Sequence, residues 1–266
     1  MTLAPDVIET LAGGEESWAS PENVGGSLRT ILALSVVSLA PAILLMSTCY
    51  VRIIVVLTLL RQAIGLQTLP PTQVLTSVSL FMTLLVMTPV WSSVYHDAIK
   101  PYRDPAIEMS VSEAYEAGAL PVRRFMSRQI AAAGNHADVS LFFRHAFPDE
   151  PLPESFGDVP IQALLPAFVI SELKISFLMG FSIYLPFLVV DLVVASVTMS
   201  MGMFMLPPAM ISLPLKLLLF AMVNGWHLVV GMLLASFGQD SSQSVGEASY
   251  EVGASAIHSV SLMVGG

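Results

Sequence analysis

Residues Leu192–Phe237 read LVVASVTMSMGMFMLPPAMISLPLKLLLFAMVNGWHLVVGMLLASF, forty-six residues with one formal charge, Lys216, and one histidine, His227. An apolar run of this length belongs in lipid or inside a large hydrophobic assembly. Four methionines stand at alternate positions in its middle, Met199, Met201, Met203 and Met205, and Pro207-Pro208 follows directly. Pro208 has no amide hydrogen and pushes Pro207 out of helical backbone, so the pattern predicts a helix ending near Leu206 and a second helix beyond it. Unwound backbone at membrane depth survives only where protein buries it or water lines it. The stretch points to a pore-like or gate-like joint rather than a plain anchor.

The rest of the chain shares this character. Only 12% of the 266 residues are charged, 55% are hydrophobic, and the mean hydropathy is +0.75. Soluble domains carry roughly 25% charged residues, so an integral membrane or membrane-assembly protein is indicated. A net charge of −9 excludes a general nucleic-acid binder, which needs a basic face. The lone cysteine, Cys49, rules out an internal disulfide framework and a cysteine-based metal site, and its apolar setting makes it a buried structural thiol. No Gly-rich phosphate loop, His-x-x-x-His pair or Gly-x-Ser-x-Gly elbow occurs, so no catalytic residue, cofactor or metal is expected. The five histidines, His96, His136, His145, His227 and His258, are scattered, and His227 reads as one hydrogen-bonded core imidazole.

Five segments follow from the patterning. Residues 1–29 form a polar, acidic leader without the basic and apolar regions of a signal peptide. Residues 30–95 form a first hydrophobic helical hairpin. Its first run, Ile31–Val51, would be about 31 Å long as a helix. Pro41 kinks that run, VRIIVVLTLLRQAIG extends it to a C-cap at Gly65, and Val74–Tyr95 is the second run. Residues 96–160 hold ten acids and six bases and read as a small polar extracytoplasmic domain of two or three short helices. Phe125, Ile130, Leu141 and Phe142 are its expected inward residues, and Arg123, Arg124, Arg128 and Arg144 its solvated face. Residues 161–237 form a second hydrophobic hairpin with the Met-rich break. Glu172, Lys174 and Asp191 interrupt its first run and leave only 16 uncharged residues from Ile175 to Val190, short for a bilayer span. Residues 238–266 are Ser/Gly-rich and acidic, the composition of a disordered tail. Arg52 and Arg61 place the connection between the first two runs in the cytoplasm by the positive-inside rule. The fold class is therefore all-α, with kinked and broken hydrophobic helices in hairpins and a small polar insertion.

Two features carry the functional argument. Glu172 and Lys216 lie on separate helices with opposite charge, and pairing within or between subunits would relieve both burial costs. Snorkelling of each to water is the other reading. The methionines are either core filler or a flexible, polarisable surface able to close around a passing chain, because in a broken segment alternate positions share a face.

The motifs VRIIVVLTLLRQAIG (51–65), PPTQVL (70–75), LLPAFVISELK (164–174), PFLVVDLVVASV (186–197), MGMFMLPP (201–208) and LPLKLLLFAMVNGWHLVVG (213–231) resemble, in order, the FliP family of flagellar type III export-gate proteins. They are similar too to the SctR proteins of injectisomes. RRFMSRQI with DVSLFFRHA looks more like the flagellar branch. The resemblance implies a core gate subunit that assembles as a helical pentamer with FliQ-like and FliR-like subunits. It also implies FlhA/FlhB-like export components as neighbours, in the bacterial inner membrane at the flagellar basal body. Such an assembly forms the entry channel for unfolded protein substrates and has no catalysis of its own. Its hydrophobic runs pack largely on one another and on partners. The family's methionine gasket falls on Met203, Phe204 and Met205, and its Glu and Lys on Glu172 and Lys216. Phe204 departs from methionine there, Asn224 stands where an aspartate is expected, the usual cleavable signal is missing, and the tail past Phe237 has no counterpart. Two other classes remain open from the residues alone. One is a secondary transporter using Glu172, Asp191 and Lys216, although no internal repeat supports it. The other is a non-conducting membrane scaffold.

Overall fold

The computed structural model describes residues 21–66, 68–153, 159–203 and 207–238. Among them every regular element is a helix. The residues read as leader up to Ser20 and as tail from Gln239 lie outside the described residues. Helix α1, Pro21–Met46, runs through Pro41 and is one unit by itself, with Ile31, Leu32, Leu34, Val37 and Leu39 exposed. The second unit holds all the other helices.

Helix α2, Tyr50–Ile64, opens after Cys49, which is fully buried as expected. It closes on Gly65 at φ +91°, with the Gly65 N–H bonded to Gln62 O and the Leu66 N–H to Arg61 O. This crossed pair satisfies the last carbonyls of the helix and needs a residue without a Cβ. Helix α3, Thr72–Val94, passes through a π-helical turn, Tyr95–Ile99, into the short α4, Lys100–Arg103. The polar stretch then folds as α5, Val111–Ala132, and α6, His136–Ala146. A capping box starts α5, in which Ser110 Oγ accepts from the Glu113 N–H and the Glu113 carboxylate accepts from the Ser110 N–H.

Both polar helices lie against the long α7, Ile161–Ser200, with Phe125 edge-on to Phe168. Phe125 and Ile130 are buried as expected and Phe142 is half-buried, but Leu141 is 65% exposed. The inward face of α6 is set instead by Val139 and Phe143, one turn apart, which places Leu141 on the far side. Arg124, Arg128 and Arg144 are exposed, and Arg123 meets Glu116 at 3.3 Å.

Helix α7 departs most from the sequence reading. It runs 40 residues without interruption through Pro166, Glu172, Lys174, Pro186 and Asp191, about 60 Å of helix. Each of the three charges meets a partner from a neighbouring helix, so none has to break the backbone. The helix also ends earlier than Leu206. Gly202 takes φ +76°, its N–H bonds Met199 O, and the Met203 N–H bonds Thr198 O. The glycine stops the helix, not the prolines. Pro207 is extended and Pro208 opens helix α8, Pro208–Met222, where a fixed φ and a missing N–H suit the first position. A second break, absent from the sequence reading, follows at Asn224, whose left-handed backbone (φ 52°) turns α8 into helix α9, Gly225–Ala235, at 64°. A Cβ on Gly225 would lie 2.2 Å from the Phe220 ring, so the elbow closes around a missing side chain.

Among the described residues two helices are long and apolar enough to cross a membrane, Thr72–Arg103 and Ile161–Ser200, or up to four if each of two bent pairs counts as one span. Helix α7 packs closely on α2 at Gly180, where a Cβ would meet Leu59 Cδ1 at 2.2 Å and Leu59 Cβ at 3.1 Å. Gly180→Val is expected to force the two helices apart and lower stability by roughly 1–3 kcal/mol, measured by thermal unfolding of the purified protein. Hydrogen bonds from Ser110 hold the Glu113 carboxyl below its ordinary value of 4.5. The cap is therefore complete above that value and is lost as pH falls through the depressed one. The protection factors of the amides in the first turn of α5, with the intrinsic slowing of exchange at lower pH divided out, should fall on acidification in the native protein and lose that dependence in Glu113→Gln.

Candidate functional site

One buried ion pair, one half-buried ion pair and one turn make up the candidate site. Arg52, in the first turn of α2, is 2% exposed, and Glu172 on α7 is fully buried. The guanidinium donates from Nε to Glu172 Oε2 at 2.8 Å and from Nη2 to Glu172 Oε1. Nη2 also reaches Gln129 Oε1 at 3.0 Å, and Nη1 reaches Ser236 Oγ at 3.1 Å and Ser236 O at 3.3 Å. These contacts match the five N–H donors of an arginine. The Phe237 ring covers the guanidinium face at 4.1 Å from its centroid. Ser176 Oγ donates to Glu172 O at 2.6 Å. One arginine thus joins α2, α5, α7 and the end of α9.

The second pair is Lys216 of α8, which donates to Asp191 Oδ2 of α7 and, at 3.2 Å, to Ala63 O in the last turn of α2. The structure does not bring Glu172 and Lys216 together. Glu172 and Asp191 are 19 residues apart on one unbroken helix, about 28 Å along it, and Lys216 reaches only the latter. The expected carboxylate is buried as anticipated but its partner is Arg52, which the sequence reading spent on topology. Neither arginine of that topological argument is a free loop charge. Arg52 is in the core, and Arg61 binds Pro70 O and Thr72 Oγ1. The signal for Arg52 was present as one cation inside an apolar run, opposite one anion inside another. His227, expected in the core, is exposed on α9.

The Lys216–Asp191 pair clamps α7 to α8 below the Met-rich turn. Met201 lies ten residues beyond Asp191 and Pro208 eight before Lys216, about 15 and 12 Å of helix respectively. The two arms are nearly equal, so the turn forms the tip of a hairpin. Met199, Met201 and Met203 are 58%, 68% and 36% exposed there. Phe204 and Met205 lie outside the described residues.

Such an arrangement offers a rigid, charge-fixed hairpin presenting soft apolar side chains. Arg52→Met alone should destabilise by roughly 3–5 kcal/mol because it orphans Glu172, whereas Arg52→Met with Glu172→Met should recover most of the loss. Unfolding of the three proteins in the same detergent measures both numbers.

The sequence model of the FliP family matches residues 33–233. The flagellar biosynthetic protein FliP of Bacillus subtilis is 46% identical over 221 residues, covering 83% of this chain and 96% of that protein. That of Pectobacterium carotovorum is 48% identical over 232 residues, covering 87% and 84%. That of Caulobacter vibrioides is 50% identical over 204 residues, covering 77% and 74%. A family match that spans both hairpins and the polar helices, with relatives at this level of identity, leaves one assignment: the chain belongs to the FliP family.

Proposed function

We propose that this chain is a core channel subunit of the flagellar type III protein export gate. Several copies, five by the family resemblance, pack with FliQ-like and FliR-like subunits around one passage. FlhA/FlhB-like components adjoin the assembly in the bacterial inner membrane at the basal body. Unfolded protein substrates enter through the passage, and the turn bearing Met203, Phe204 and Met205 acts as a gasket around them. The chain supplies a conduit and no catalysis, so transport energy comes from other components.

The observation that carries this reading is the exposed methionine tip on a hairpin clamped by Lys216 and Asp191. A seal must be held at a fixed place while its surface stays deformable. The clamp meets the first requirement, and unbranched thioether side chains meet the second. The apolar outer faces of α3 (Phe81, Leu84, Leu85) and α7 (Phe177, Leu178, Phe181) support packing against neighbouring chains or lipid. Met203→Asp and Met205→Asp should raise ion conductance of the reconstituted assembly and impair substrate passage, with unchanged yield of folded protein. Conductance and secretion equal to the unsubstituted assembly would remove the gasket from the account.

A further inference from the structure

Helix α6 packs chiefly on α7, and its contact is unusually polar at one end. Asn135 occupies the N-cap position of α6, where its side chain would ordinarily accept from the first turn, yet it makes no capping bond. Its Nδ2 donates instead to Ser171 Oγ at 2.8 Å. One turn on, Asp138 takes both of its oxygens to Lys174 Nζ, at 2.6 and 2.8 Å. Asn135 and Asp138 are three apart on α6, and Ser171 and Lys174 are three apart on α7, so the two contacts form parallel rungs. Asp138 is nearly enclosed, whereas the Lys174 side chain is 50% exposed. Beyond the rungs, Val139 and Phe143 seat the helix in the core.

These rungs sit at the level of Glu172. Lys174 is two residues from it and points roughly 200° away around the axis. At one level, therefore, α7 is gripped on one side by Arg52 and on another by α6. Two grips at different angles resist rotation of a helix about its axis, which apolar contacts along a smooth face do not. From Lys174 the helix continues unbroken for 26 residues to Ser200, about 39 Å. Rotation permitted at the rungs, to the extent that the Lys216–Asp191 clamp further along α7 yields to it, reappears as a changed facing of Met201 and Met203.

We propose that Asp138 and Lys174, with Asn135 and Ser171, are positioning residues that fix the rotation of α7 and so the direction in which the methionine turn faces. The proposal rests on the gasket reading and deepens it by giving the polar helices a part in the seal. The test uses the full chain in its reconstituted assembly. Amide exchange over residues 136–146 and ion conductance are measured for Lys174→Met, Asp138→Asn and the conservative Lys174→Arg.

Lys174→Met and Asp138→Asn should speed exchange in α6 by roughly two- to fivefold, the range of a half-exposed ion pair. Both should also raise conductance, and Lys174→Arg should keep both quantities near native. Should Lys174→Met fail to accumulate, Lys174→Gln reads the same quantities. Faster exchange with unchanged conductance overturns the positioning role while leaving the gasket, probed separately by Met203→Asp, intact. Unchanged exchange overturns the latch itself, and so does a Lys174→Arg protein that behaves like Lys174→Met.

Discussion

The arrangement of the helices depends on the Arg52–Glu172 contact. Removing two ions from water costs several kcal/mol for each, and their attraction offsets this only when geometry is good and the remaining donors are satisfied. Here every donor of the guanidinium has an acceptor, and those acceptors come from positions 129, 172 and 236. No local folding of α2 could supply them. The pair is satisfied only when α2, the polar helix α5, the long α7 and the end of α9 have all come together. A sequence dominated by interchangeable aliphatic side chains has many near-equivalent ways of packing, and a single demanding cation selects among them.

This explains why the polar helices are part of the body of the molecule. Gln129 completes the arginine's shell, Phe125 meets Phe168, and Asp138 meets Lys174. The remaining surface is of a different kind. Large apolar side chains along α3 and α7 stay exposed in the single chain, over an extent that soluble monomers avoid. Such faces belong against lipid or other protein.

Much of the architecture was legible from local chemistry. Long apolar runs, a glycine cap at Gly65 and a buried Cys49 follow from composition and backbone preference at single positions, and they stand in the structure. What failed was whatever depended on a partner. The continuity of α7 through Glu172, Lys174 and Asp191 required knowing that Arg52, Asp138 and Lys216 neutralise them. Leu141 was misplaced because two adjacent aromatics and a leucine offer α6 several apolar faces, and only docking on α7 selects Val139 and Phe143. Pro207-Pro208 signalled a break correctly but was assigned to the wrong helix, since proline is as good a first residue as it is a bad interior one. Of the site, the methionine turn was visible as a pattern, whereas the identity of the charge partners was not.

The separation of stop and start at that turn has an evolutionary consequence. Gly202 terminates one helix and Pro208 initiates the next, so neither boundary relies on the five intervening residues. Those positions can change character without altering where the scaffold delivers them. The texture of the tip is thereby separable from the frame that carries it, and one can change residue by residue while the other stands.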